Sequence, residues 1–433
     1  MSEAGSPRTG AKGGARSGGG FKAAFRHRDF AIYAFATFVS NVGMWVMRIG
    51  VGWYTWDLTH SGAWLGAVAL GQALPSVFLT PFAGALADRM NPVKLMRVTQ
   101  AASFWFAGAI AAITFLGWAT PHLLVTWSFC HGLAFALGLP ARTVIGPNLV
   151  PREDISTAIS VGSVIFGSSM FIGPAVSGLL IEHFGPACTF TVNAIAYGAM
   201  YMCLLNIKLL REEAHRGSGS LLLDTIEGVK FVAGHHGIRA VMLMAFIISI
   251  CIRPMIDLMP GFADAVYHRP TEGLATLMSA FGIGAMIGST WLANRNRLSG
   301  TVNLAITGNL VSAVCIIVFA AFGIYPLAVA AMFGLGVAAA IGFNGAQILV
   351  QNAAAGSMRS RVMGLYAYNF QGVPAAGAMI IGFVSGYLGL QIPAVAAGTI
   401  SLIATLMVWR SRKRITALME NADQAQPQKQ AAE

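Results

Sequence analysis

Residues 84–93 read GALADRMNPV, with Lys94 directly behind them, and they lie between two long apolar runs at 64–87 and 95–117. That placement puts Asp88, Arg89 and Lys94 in a tight turn where the chain leaves a membrane and re-enters it. Asp88 has two uses there: capping the next helix, or facing the N-terminus of another one. Arg89 and Lys94 face the lipid head groups. A charged turn of this kind is a hinge candidate.

Outward from the turn, the composition agrees with it. Hydrophobic residues make up 56% of the 433 residues and charged ones 10%, far from the balance of a soluble domain. Crossing a hydrocarbon core of ~30 Å takes roughly 20 apolar residues in a helix. Twelve runs meet that length: 30–56, 64–87, 95–117, 123–146, 155–181, 186–207, 239–262, 272–293, 301–322, 326–350, 361–386 and 390–410. They must be helices, because lipid offers backbone polar groups no partner. The fold class is an all-α multi-pass membrane protein.

A net charge of +11 suggests nucleic acid in a soluble protein, so the placement of the charge decides its meaning. With both termini inside, 24 of the 28 Lys/Arg fall in inside segments, and only Arg269 falls in an outside loop. Arg48, Arg142 and Arg253 lie within apolar runs. The positive-inside rule therefore places both termini in the cytoplasm, and the basicity carries no nucleic-acid meaning. Cys130, Cys188, Cys203, Cys251 and Cys315 sit in or at the ends of apolar runs without metal-ligand spacing, so they read as packing residues. Residues 1–24 read as a disordered basic cytoplasmic tail without a cleavable signal peptide, and 411–433 as a second cytoplasmic tail.

The chain repeats itself. Leu86-Ala87-Asp88-Arg89 aligns with Leu292-Ala293-Asn294-Arg295 at an offset of 206, and Arg152 aligns with Arg359 at 207. Arg48 falls one position from Arg253 at the first offset. With six runs on each side of a polar segment, this argues for two six-helix halves, 25–207 and 239–410. The segment between them, 208–238, reads as a cytoplasmic linker with an amphipathic piece at 221–232.

Polar residues at membrane depth mark the candidate site. Arg48 lies about five residues outward of the middle of its run, ~7–8 Å from the centre at ~1.5 Å per residue. It must look into the protein or a water-filled cavity, since facing lipid is too costly. In the seventh run, Arg253 and Asp257 stand at i and i+4 around Pro254, a spacing at which they can pair with each other. They read either as a substrate or proton site or as a structural pair. Asp57, Glu182 and Asp264 are at outer ends, so Asp257 is the proton-coupling candidate by elimination. Asn41, Trp45, Asn344, Gln347, Asn369 and Gln371 join the two arginines as expected cavity residues. His131 reads as a satisfied interior histidine, and Gly173-Pro174 as a helix bend.

These residues resemble a known family. GALADRMNPVK is similar to the helix 2–3 loop motif of the major facilitator superfamily, without its usual glycine and second basic residue at Asn91-Pro92-Val93. Residues 41–66 (NVGMWVMRIGVGWYTWDLTHSGAWLG), TPFAGALADR, LPART and RSRVMGLYAYNFQG resemble the bacterial branch that holds the enterobactin exporter and the transmembrane secretion effectors. The resemblance covers about 25–410. It implies twelve helices in two six-helix halves, a rocker-switch exporter driven by protons in a bacterial inner membrane. It also implies a gate in which Asp88 and Arg89, with Lys94 behind, meet Arg142 and the 358–361 segment with Arg359 and Arg361, locking the outward-open state. The helix 5 antiporter motif stands as Gly173-Pro174 and Gly178, with Ser177 where a glycine is usual.

The expectation is a monomeric secondary transporter that exports an amphipathic small molecule, siderophore-like or drug-like, by alternating access in the lipid bilayer, with the proton as coupling ion. A broad-specificity multidrug pump is the alternative, and a non-transporting membrane sensor or scaffold a minor one. No nucleophile–base pair or metal cluster stands out, so neither an enzyme nor a cofactor is expected.

Overall fold

The computed structural model describes residues 24–210, 221–295, 297–354 and 358–420; the side chains of 80–89, 221–226 and 360 fall outside the description. Most of both expected tails, 1–23 and 421–433, lies outside the described residues as well.

The first half runs through α1 (Arg28–Thr59), α2 (Gly62–Arg89), α3 (Pro92–Phe115), α4 (Pro121–Asn148), α5 (Ile155–Phe184) and α6 (Pro186–Asn206). The amphipathic piece of the linker is helix α7 (Leu221–Gly234). The second half holds α8 (His236–Cys251), α9 (Met255–Gly261), α10 (Thr271–Asn294), α11 (Thr301–Ala321), α12 (Tyr325–Ala353), α13 (Met358–Gln371), α14 (Val373–Leu388) and α15 (Gln391–Arg410), followed by a short α16 (Arg412–Met419). Twelve spans among the described residues are long and apolar enough to cross a bilayer. With an even number of crossings, both ends of the described chain, Ala24 and Glu420, lie on one face, called the terminal face below. The opposite face is the distal one.

The two halves pack alike. In the first, α2 and α3 lie on α4, α3 on α6, and α1 on α5 and α6. In the second, α10 and α11 lie on α12, α11 on α15, and α8 on α14 and α15. The two largest contacts between halves, α2 with α14 and α5 with α10, exchange under the same correspondence. The repeat read from short motifs is thus a repeat of packing.

Two spans are broken. The seventh stops at Cys251 and restarts at Met255, because Pro254 brings no N–H and clashes with the turn before it; a π-turn, Phe262–Val266, completes it. The eleventh stops at Gln371 and restarts at Val373 beside Pro374. Gly173-Pro174, read as a bend, lies in an α5 that runs unbroken from Ile155 to Phe184. A Cβ on Gly173 would sit 2.3 Å from the Cβ of Trp45, so this glycine lets α5 cross α1 closely. Ser and Thr hydroxyls along the spans donate to their own i−4 carbonyls, as Ser169, Ser312 and Thr405 do, which satisfies them without water.

The halves meet closely at the distal face. Near the distal end, Gly62 of α2 lies against Gly382 of α14 so tightly that a Cβ would come within 3.3 Å of the opposing backbone. Gly178 of α5 touches Ala275 of α10 there. Along the terminal half of α5 only Ala158, Val161 and Ser169 are buried, one narrow stripe, while Ile159, Ser163, Val164 and Phe166 are exposed. That half of α5 is covered on one side only.

Candidate functional site

The site starts from one face of α1. Arg48, Gly52, Trp56 and His60 follow each other at four-residue spacing and therefore line a single stripe. The Arg48 guanidinium donates to Asp257 Oδ1 at 2.7 Å across the two halves. One turn further Gly52 faces Pro260, and one more turn brings Trp56 Nε1 to Asp264 Oδ2 at 2.8 Å, with His60 Nδ1 3.7 Å from the same oxygen. These rungs join α1 to α9 and the π-turn behind it, and they close the distal side. Arg48 and Asp257 also line a small pocket of about 30 Å³. Leu65, Ala69 and Gln72 of α2, Trp127 of α4 and Ile256 of α9 form its other walls. Both halves contribute to it, as binding sites of discontinuous-helix transporters do.

The expected partnership of Arg253 with Asp257 does not form. The i, i+4 rule holds only within a continuous helix, and Pro254 breaks the helix between the two residues. Asp257 turns to Arg48 instead. The Arg253 guanidinium lies 3.7 Å from the ring centre of Phe370 and 5.8 Å from that of Phe343, and makes no side-chain hydrogen bond or ion pair among the described residues. Phe343 and Phe370 pack at 4.5 Å, and Tyr366 closes the cluster by donating to the Phe343 carbonyl at 2.8 Å. Arg253 thus sits at the break of one discontinuous helix and rests on Phe370, the last residue but one before the break of the other.

Of the remaining cavity candidates, Asn369 is buried on the same side of α13, with neither amide atom partnered. Asn344 donates to Ser289 Oγ at 3.1 Å, joining α12 to α10. Gln347 and Gln371 are half-buried, the latter at the very end of α13, and Asn41 is half-buried on α1. Trp45 is buried between Gly173 and the edge of Phe166, 5.6 Å from the Arg48 guanidinium, and does not line the pocket. His131 is an interior histidine, stacked on Trp127 and bonded through Nε2 to the Tyr197 hydroxyl at 3.1 Å.

The gating residues fare differently. The side chains of Asp88 and Arg89 lie outside the described residues. Asn91, not Asp88, caps α3, its Oδ1 accepting from the N–H groups of Val93 and Lys94 at 2.9 and 3.3 Å. Lys94 and Arg359 are exposed. Arg142 lies over Phe135 at 5.0 Å, with a buried, unpartnered Nε. Arg361 pairs with Glu227 of the linker helix α7.

Residues 20–432 match the family described as transmembrane secretion effector, nearly the whole chain. The chain belongs to this family. Among curated relatives of this family member, the staphyloferrin A transporter of Staphylococcus aureus is 26% identical over 62% of the chain and 68% of the relative. The multidrug efflux pump Tap of Mycobacterium tuberculosis is 24% identical over 85% and 91%. The solved structure of a mutant of the nucleoside transporter NupG aligns with a TM-score of 0.72, at 15% identity, over 88% of this chain and 99% of that one. The D-xylose-proton symporter aligns at 0.66, with 12% identity over 88% and 96%. The family member is therefore a multi-pass transporter of the major facilitator kind, not an enzyme.

The stripe formed by Gly52, Trp56, His60 and Asp264 was legible only as an i, i+4 spacing beside an aromatic belt. Nothing in one stretch of sequence names its partners.

Proposed function

We propose that this transporter is a proton-driven exporter of amphipathic small molecules, working by alternating access as a monomer in a bacterial inner membrane with both termini in the cytoplasm. The observation that carries the reading is the Arg48–Asp257 ion pair, which spans the two halves at the pocket and belongs to the distal-closed arrangement. Parting the halves on the distal side separates the pair. Asp257, released from Arg48 on the opened side, is the proton carrier in this reading. When the distal side closes again, Arg48 returns, and the proton leaves toward the terminal face. The same closure opens that face to substrate. The rungs at Gly52 and Trp56 tie this exchange to the movement of the whole distal gate.

Two basic side chains near the central space favour an anionic or catechol-like substrate, in keeping with the relative named as a siderophore transporter. A broad-specificity pump is the second reading, favoured by the match to a multidrug efflux pump across most of the chain. A panel of unrelated dyes separates the two, since a multidrug pump lowers accumulation of several and a dedicated exporter does not. In everted vesicles, Arg48→Ala and Arg253→Ala are expected to abolish proton-driven export while the protein stays in the membrane. Wild-type export by both variants refutes the assignment.

A further inference from the structure

Arg253 is a charge at membrane depth that forms no ion pair among the described residues. Its carboxylate neighbour in sequence, Asp257, is bound to Arg48. The Arg253 Nε is buried without a partner, and its guanidinium lies over the rings of Phe370 and Phe343. On α13, Asn369 is 7% exposed, and neither its amide oxygen nor its amide nitrogen has a hydrogen-bond partner. Asn369 immediately precedes Phe370, the ring under the guanidinium, and lies one turn from Tyr366 on the buried side of α13. A cation and an amide do not stay unpaired in an apolar cluster unless something else completes them.

We propose that Arg253 and Asn369 form a carboxylate-binding subsite in the second half, separate from the Arg48–Asp257 pair, with Phe343 and Phe370 as the apolar platform for the flat or acyl part of the ligand. The charge count selects the ligand. One guanidinium balances one carboxylate, with two N–H groups matching two oxygens, and the Asn369 amide adds a further donor. A doubly charged phosphate leaves one charge uncompensated in the same space. The subsite sits between the two helix breaks, Cys251–Met255 and Gln371–Val373, so a bound carboxylate ties together the segments on either side of both. It rests on the reading of this chain as an exporter of anionic small molecules and names the group recognised.

The test uses the purified full chain in nanodiscs and two probes, 2-naphthoate and its uncharged isostere 2-naphthamide, with dissociation constants from ligand-observed NMR. Wild type is expected to prefer the acid by ~10- to 100-fold, the worth of charge-assisted hydrogen bonds. Arg253→Gln removes the preference, Asn369→Ala reduces it several-fold, and Arg253→Lys gives an intermediate value because it keeps the charge without the fork. Size-exclusion profiles and thermal unfolding show that the variants are folded. If wild type binds acid and amide equally, or binds neither, the subsite is refuted. It is equally refuted if folded Arg253→Gln and Asn369→Ala keep the full preference. Vesicle flux reports on the exporter reading separately. Flux without proton dependence, with the acid preference intact, sinks that reading and leaves the subsite standing.

Discussion

Breaking the Arg48–Asp257 pair is expected to shift the conformational balance of the free transporter, with no substrate present. Opposite charges about 4 Å apart attract by ~4 kcal/mol at an effective dielectric of about 20. The Arg48 side chain is 39% exposed and that of Asp257 12%, so solvent screening takes away a large part. That leaves ~1–2 kcal/mol, present only while the distal side is closed. Removing it changes the ratio of distal-open to distal-closed molecules by roughly 5- to 30-fold. Spin labels at Trp118→Cys and Phe322→Cys report this, because both positions are exposed, the first between α3 and α4 and the second between α11 and α12. The five native cysteines, all free, are first replaced. Arg48→Gln and Asp257→Asn should each enlarge the long-distance population, and the swap Arg48→Asp with Asp257→Arg should restore the shorter one. If neither single variant moves the distance distribution, the pair is not part of the gate.

Three further outcomes are expected. Asp88→Asn should cripple transport while Asn294→Asp is tolerated, because only the first half keeps the acid at this turn; equal tolerance in a transport assay shows the turn to be a loop rather than a latch. Gly173→Leu should lower the thermal unfolding temperature and transport together, since even a Cβ meets Trp45 at 2.3 Å and overpacking costs ~1–3 kcal/mol. Glu420 accepts from the N–H groups of Gly300 and Val302 at 2.6 and 2.8 Å and so caps the start of α11; Glu420→Ala should cost ~1 kcal/mol, measured as a lower melting temperature in detergent, with transport kept.

Much of this transporter was written plainly along the chain. Composition and run length decide twelve spanning helices, because a bilayer leaves no other way to satisfy a backbone. The double occurrence of Leu-Ala-Asp/Asn-Arg before a re-entry turn announces the two halves, and the packing repeats as the motifs do. The linker helix was visible as an amphipathic stretch. The segment after Arg410 was less so, since α16 and its capping Glu420 stand where only a tail was expected.

The site was legible as a set of residues and not as a set of partnerships. Arg48, Arg253 and Asp257 stood out because charge at membrane depth is costly and must have a purpose. Which charge meets which was decided by two helix breaks and by the crossing of α1 over the second half. Spacing in sequence measures neighbours only along an unbroken helix, and Pro254 ends that measure between Arg253 and Asp257. Asp257 then finds Arg48, 209 residues away, and Arg253 is left on an aromatic shelf. Local hydropathy and spacing are enough for the membrane, the helices, the repeat and the identity of the polar residues. Only the tertiary structure decided the pairs, because contacts between halves depend on where helices end and cross, a property of the packed bundle rather than of any stretch of it.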